Sequence, residues 1–168
     1  MGDLIIRPGR AGDIAPLDAL LARSYPRLLA KDYPPSVLVT AIPRIVKAQP
    51  KLVTCGTYFV ALRDGVLLGG GGWTGGAPGT GVRGPSRLGH IRHFATDVDA
   101  VRQGVGRALM ERVFETAVAA GVQSLACLST RTAVPFYRGA GFRGDEEVEV
   151  QLDAGITFPA IRMSKVLC

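Results

Sequence analysis

Cysteine is scarce in this sequence. Its 168 residues include three, Cys55, Cys127 and Cys168, scattered so that they suit neither a disulfide framework nor metal-ligand spacing, and no metal is expected. A long apolar run is also missing. The longest uncharged stretch, residues 65–82, has the length of a membrane span, but nine of its eighteen residues are Gly and it contains Pro78. Acidic Asp3 stands where an export signal would carry basic and apolar residues. The expectation is a reduced, cytoplasmic protein with no membrane partner. Aromatic residues make up 7% and there is one Trp. Sixteen of the twenty basic residues are Arg, spread along the chain without the clustered stacking aromatics of a nucleic-acid binder. The net charge of +6 is compatible with an anionic partner (a nucleic acid, a membrane face or a phosphorylated small molecule), but the spread of the arginines reads as a solvated basic surface, with no nucleic acid expected.

Hydrophobic residues at 47% and charged residues at 20% describe a globular chain, read as one domain over 1–168. A first strand covers residues 4–8. Asp13 caps a helix to about residue 24, with Ile14, Leu17, Leu20 and Leu21 on one face. Pro26 and the Pro34-Pro35 pair are expected to break the chain before a second helix at 36–48, irregular at Pro43. Strands at 57–62 and 66–73 flank the hairpin signal Arg63-Asp64-Gly65. The Gly- and Pro-rich stretch 74–87 is expected to be a mobile loop. A strand at 88–97 precedes the clearest helix, 105–120, which Gly121 stops. A buried strand at 124–129, a short helix at 133–140 with Pro135 in its first turn, and strands at 146–152 and 158–166 complete the chain. This order predicts an α/β (α+β) mixed, mostly antiparallel central sheet with helices on both faces. One parallel step, from Leu88 to Ser129, lies at its centre.

Gly104 and Gly106 sit where a strand gives way to the long helix. Without side chains they let phosphate oxygens approach the backbone, and the first N–H groups of the helix and its dipole favour an anion. Arg102 and Arg107 flank the turn and can neutralise a pyrophosphate. A P-loop would need Lys and then Ser or Thr where Arg107-Ala108 stands. A dinucleotide fingerprint would need Gly or Ala at Leu109 and an acidic residue near Ser129.

Val101-Arg102-Gln103-Gly104-Val105-Gly106 resembles the cofactor motif Gln/Arg-x-x-Gly-x-Gly/Ala of the GCN5-related N-acetyltransferase (GNAT) superfamily, with Val101 in the usual basic or amide position. Thr132-Ala133-Val134-Pro135-Phe136-Tyr137-Arg138-Gly139-Ala140-Gly141-Phe142 is similar to the same family's second signature, with Thr132 for the usual Asn. The resemblance implies a GNAT-like acyl-CoA N-acyltransferase fold whose strands 88–97 and 124–129 splay around a pantetheine arm. Phe94, Ala95 and Thr96 would then offer backbone groups to that arm. The amides of Gln103, Gly104, Val105, Gly106, Arg107 and Ala108 would hold the pyrophosphate, and Arg102 and Arg138 join the cofactor-binding set.

It also implies an enzyme that uses acetyl-CoA as cosubstrate to acetylate a small-molecule or peptide amine. A non-catalytic acyl-CoA-binding sensor of the same fold stays open as the alternative, as does a homodimer. Transfer to an amine by direct attack needs a neutral nucleophile, a stabilised carbonyl oxygen and a proton for the departing thiolate. Tyr137 is the acid candidate, matching a Tyr that commonly serves so in the family. His90 is the base candidate, at a strand position where several members carry Glu or His. Alternation puts His90, Arg92 and Phe94 on one face of their strand and Ile91 and His93 on the other; a bulge would swap the faces and bring His93 into play. Cys127, inside an apolar strand, reads as core.

Overall fold

A computed structural model describes residues 2–76 and 87–167. Most of the loop expected at 74–87 lies outside the described residues, as does Cys168. The elements run β1 (Ile5–Pro8), α1 (Ile14–Leu29), α2 (Pro35–Ile45), α3 (Pro50–Val53), β2 (Tyr58–Arg63), β3 (Val66–Thr74), β4 (Leu88–Thr96), α4 (Val105–Ala119), β5 (Ser124–Ser129), α5 (Val134–Gly139), β6 (Arg143–Asp153) and β7 (Ile156–Val166). The strands form one sheet in the order β1-β2-β3-β4-β5-β7-β6. Only β4 and β5 are parallel, so the mixed, mostly antiparallel sheet read from the sequence is the one observed.

Alternation along the strands sends side chains into two cores. Phe59 and Ala61 of β2 join Val105, Leu109 and Val113 of α4 on one face. Tyr58 and Val60, which alternate with them in sequence, join Leu17, Leu20 and Leu21 of α1 on the other. Leu109 is fully buried, and its truncation to Ala would cost about 2–5 kcal/mol. The hairpin between β2 and β3 turns on Asp64 and Gly65, both at positive φ (52° and 78°), the geometry that Asp-Gly pairs favour.

Two helices differ from expectation. Pro26 does not end α1, which continues to Leu29. A proline removes one hydrogen bond, and here the buried face through Ser24 and Leu29 holds the last turns against the sheet. The second helix ends at Ile45 rather than at 48, and a separate turn of helix, α3, follows Pro50. Pro43 lies inside α2 with Val39 and Pro43 both exposed, so the carbonyl left without its donor faces water. No helix among the described residues is long and apolar enough to cross a membrane.

The central strands place the site. β4 and β5 pair through Leu88↔Ser124, Gly89↔Leu125 and His90↔Ala126, and then part. Residues 91–96 and 127–129 run on as the two walls of an opening in the sheet.

Candidate active site

The opening begins at a bulge. Gly70 pairs with Ala95 and Gly72 with Arg92, so His93 and Phe94 of β4 together face Gly71 of β3. His93 takes φ 50°. Gly71 permits this, because a Cβ there would fall inside the Phe94 ring. Two tyrosines hold the bulged backbone. The Tyr58 hydroxyl donates to the His93 carbonyl at 2.9 Å and the Tyr25 hydroxyl to the Phe94 carbonyl at 3.3 Å. Burial pushes both phenols far above their usual range, so each remains a donor.

The bulge corrects the expected faces of β4. Phe94 turns toward α5, edge-on to Tyr137 with ring centroids 6.3 Å apart. Arg92 points the other way, to Gln49 before α3, and Ala95 packs with the α1 core. Phe94 therefore does not share a face with Arg92 and its alternate neighbour His90. His93 stands beside Arg92 instead, its Nε2 donating to the Ile45 carbonyl at 3.3 Å. A carbonyl can only accept, so this contact fixes the proton on Nε2 and leaves Nδ1 as the basic nitrogen.

Beyond β4 the chain enters the glycine turn. Asp97 anchors it to α1 through an ion pair with Arg23 and accepts from the Asp99 N–H at 3.0 Å. Burial acts to raise the Asp97 carboxyl, but the Arg23 guanidinium and the Asp99 amide outweigh it and hold the group below its ordinary value. Arg102 and Gly104 take φ 62° and 83° and bring the chain into α4, where a Cβ on Gly104 would meet nothing within 4 Å. That open space lies in front of the first amides of α4, which lack helical partners. The Ala108 N–H donates to the Gly104 carbonyl at 3.0 Å, so Ala108 leaves the predicted anion cradle.

Gly106 has a duty besides the expected one: its Cβ would stand 2.9 Å from Phe136 Cε1, so it lets α5 close onto α4. Between these helices runs a cleft of about 520 Å³ lined by Arg107, Met110, Phe114, Pro135, Phe136 and Gly139, among others. Arg138 is exposed and is not among its lining residues. Arg107 is exposed and held loosely by Glu111, at 3.8 Å.

Tyr137 does not line that cleft but lies behind Phe136, between Phe94 of β4 and Cys127 of β5. It is buried, with Phe136 and Phe142 edge-on at 5.2 and 5.5 Å between centroids. Burial, and then the neighbouring Cys127, raise its phenol well above the ordinary value; Tyr25 and Tyr58 act on it from across the opening. Its proton is therefore present at every neutral pH. Burial likewise pushes the Cys127 thiol up to about 12, which makes it a poor nucleophile.

An acetyltransferase (GNAT) domain family model matches residues 57–167, well over half of the chain. The chain belongs to the GNAT family. No curated protein sequence matches it significantly. Among solved structures, it is similar to a GCN5-related N-acetyltransferase from Rhodopseudomonas palustris, at 23% identity and TM-score 0.78 over 99% of this chain and 97% of that one. It is also similar to the PaiA N-acetyltransferase of Thermoplasma acidophilum, solved with coenzyme A, at 13% identity and TM-score 0.73 over 98% and 99% of the two chains. The ribosomal-protein-S18-alanine N-acetyltransferase of Escherichia coli matches at 16% identity and TM-score 0.65 over 98% and 94%. At these identities the likeness is one of fold.

In this GNAT fold the predicted residues fall into two groups. Phe94, Ala95, Thr96, the glycine turn and Tyr137 come together around the opening and its adjoining cleft, whereas Arg138 stays outside. His90 is half-buried beside Arg92, its ring without a hydrogen bond among the described residues; burial, then the Arg92 charge, lowers its pKa. Burial also lowers that of His93. Sequence reasoning missed Tyr25, Tyr58 and Gly71 as the residues that build the bulge. The run Gly69–Gly72 inside a strand was the available signal, since glycines there mark close approach.

Proposed function

We propose that this GNAT protein is an enzyme that moves an acetyl group from acetyl-CoA to a primary amine of a small molecule or peptide by direct attack. The observation that carries the reading is the nearness of three features: the glycine turn at the start of α4, the α4–α5 cleft that Arg107 and Phe136 line, and the β4–β5 opening where Phe94 and Tyr137 meet edge-on. The residues fit a CoA-type molecule. The amides of Gln103, Gly104, Val105, Gly106 and Arg107, with Arg102 and Arg107, would hold its pyrophosphate. The open edge of β4 at Phe94, Ala95 and Thr96 would pair with its extended arm.

Bound there, acetyl-CoA supplies an acetyl group on a good leaving sulfur. The protein's part is positioning and proton transfer. The amine nitrogen forms a bond to the acetyl carbon as the carbon–sulfur bond breaks, and each change in charge meets a group on the chain. His93 Nδ1 takes the proton that the amine loses; it sits at the bulge with its ring orientation fixed, which favours it over His90. Tyr137 Oη gives a proton to the sulfur and regains one from solvent. Acetyl-CoA binding by calorimetry and thiol release with a panel of amines test the reading. Gly104→Val would put a bulky side chain into the open space at the α4 start, on a backbone at φ 83° that strains any such residue, and abolish acetyl-CoA binding. Undiminished affinity in that variant would overturn the assignment of the cofactor site, and CoA binding without turnover of any amine would favour a sensor.

A further inference from the structure

Among the described residues Arg92 is the one buried arginine, 6% exposed. Among the described residues eight arginines make ion pairs with carboxylates, and most of those sit at the surface. The buried one has none. Its Nη1 donates to Thr74 Oγ1 at 3.0 Å and its Nη2 to Gln49 Oε1 at 3.4 Å, both neutral acceptors. Residues 77–86, outside the described set, contain no Asp or Glu. Burial lowers its pKa, and among the described residues only the half-buried Cys55 opposes this. A guanidinium stays charged under these conditions, and a charge removed from water without a counter-charge is costly to the fold.

The surroundings show where a counter-charge can come from. Arg92 lies on the α1–α3 face of β4, next to His93 in sequence and facing the same side as His90. This is the face opposite Phe94 and Tyr137. Gln49, its weakly held partner, is exposed, so the guanidinium is one side chain from solvent. Its charge contributes to lowering the pKa of both histidines and at His93 outweighs the opposing Asp18 carboxylate, so the positive charge dominates beside these rings. A cationic acceptor with no anionic group would be repelled there. A planar guanidinium pairs best with a carboxylate, through two parallel hydrogen bonds.

We propose that Arg92 binds the carboxylate of the acceptor, and that the acceptor class is therefore a carboxylate-bearing amine, a free amino acid rather than a polyamine or a neutral arylalkylamine. The amine then lies at the bulge near His93 while the carboxylate displaces Gln49 from the guanidinium. This rests on the acetyltransferase reading and narrows it.

The test compares thiol release from acetyl-CoA with free L-amino acids, their α-carboxamides and the corresponding decarboxylated amines. Expected is a kcat/KM for the best amino acid about 100-fold or more above its carboxamide, the range seen when one partner of a buried charge pair is lost. Arg92→Met should collapse that ratio to a few-fold with acetyl-CoA affinity retained, and Arg92→Lys, which keeps a charge and folds more safely, should leave a reduced preference. Carboxamides or decarboxylated amines used as well as the amino acids by the wild-type protein would overturn the inference.

A second measurement does not depend on turnover. The Nε–Hε resonance of Arg92, assigned by its loss in Arg92→Lys, should shift saturably with the amino acid and not with its carboxamide, with or without CoA. No shift at millimolar amino acid overturns the carboxylate site. Failure of the enzyme reading would show separately, as no CoA binding and no thiol release with any amine.

Discussion

Replacing Tyr137 by Phe isolates one atom of the proposed chemistry. The ring contacts that hold it, edge-on to Phe94, Phe136 and Phe142, do not involve the hydroxyl and are kept. The residue is buried, so the variant exchanges a polar atom beside Cys127 for a small gap, and stability should change by no more than about 1 kcal/mol. If the hydroxyl protonates the departing sulfur, its loss should lower kcat by about a hundredfold to ten-thousandfold. The acetyl-CoA affinity should hardly move, because the interaction matters mainly as the carbon–sulfur bond breaks. Burial raises the phenol above its ordinary value, so the wild-type enzyme should show no alkaline fall in kcat from this group below about pH 10. Steady-state thiol release, calorimetry of acetyl-CoA binding and thermal unfolding separate the three quantities. A Tyr137→Phe enzyme with near-normal kcat would show that the sulfur leaves without this proton.

Gly71→Ala places a methyl group in the Phe94 ring, so it should cost about 1–3 kcal/mol by thermal unfolding and lower kcat by disturbing the bulge. Gly106→Ala meets Phe136 at 2.9 Å and should open the α4–α5 cleft, weakening acetyl-CoA in calorimetry while leaving the glycine turn intact. His93→Gln should remove the acidic limb of kcat/KM, which should lie below pH 6.5 because burial lowers the pKa of His93; His90→Gln should leave the limb in place. The same burial sets a stability trend. A His93 pKa lower in the folded than in the unfolded chain gives full stability above about pH 6.5, lost as pH falls toward the folded value. His93→Gln should flatten that loss in unfolding experiments between about pH 6.5 and 5, where carboxylates stay ionised.

Local chemistry carried much of this into the sequence. Helix α4 was legible from its apolar period and from Gly121, which the structure finds at φ 86°. The Asp64-Gly65 turn and the six residues of β5 were legible because turn dihedrals and strand burial depend on nearest neighbours. The glycine turn and the Phe136-Tyr137 stretch pointed to the GNAT family for the same reason: each is a contiguous run whose spacing is set by one strand-to-helix or loop-to-helix join.

What only the tertiary structure decided are features made by residues far apart in sequence. The bulge at His93 exists because Gly71 clears space for Phe94 while Tyr58 and Tyr25 hold the carbonyls. No window along β4 contains those partners, so strand alternation gave the wrong face for Phe94. Helix α1 passes through Pro26 because its far turns are buried against the sheet, a gain larger than the lost hydrogen bond and invisible to local propensity. Gly106 read as a phosphate contact alone, and its packing role appeared only when α5 was seen lying on it. Arg92 was one of sixteen arginines until the fold buried it without a carboxylate. Dihedral preference and periodicity are written in short windows of sequence, whereas desolvation and steric contact are set only when distant segments meet.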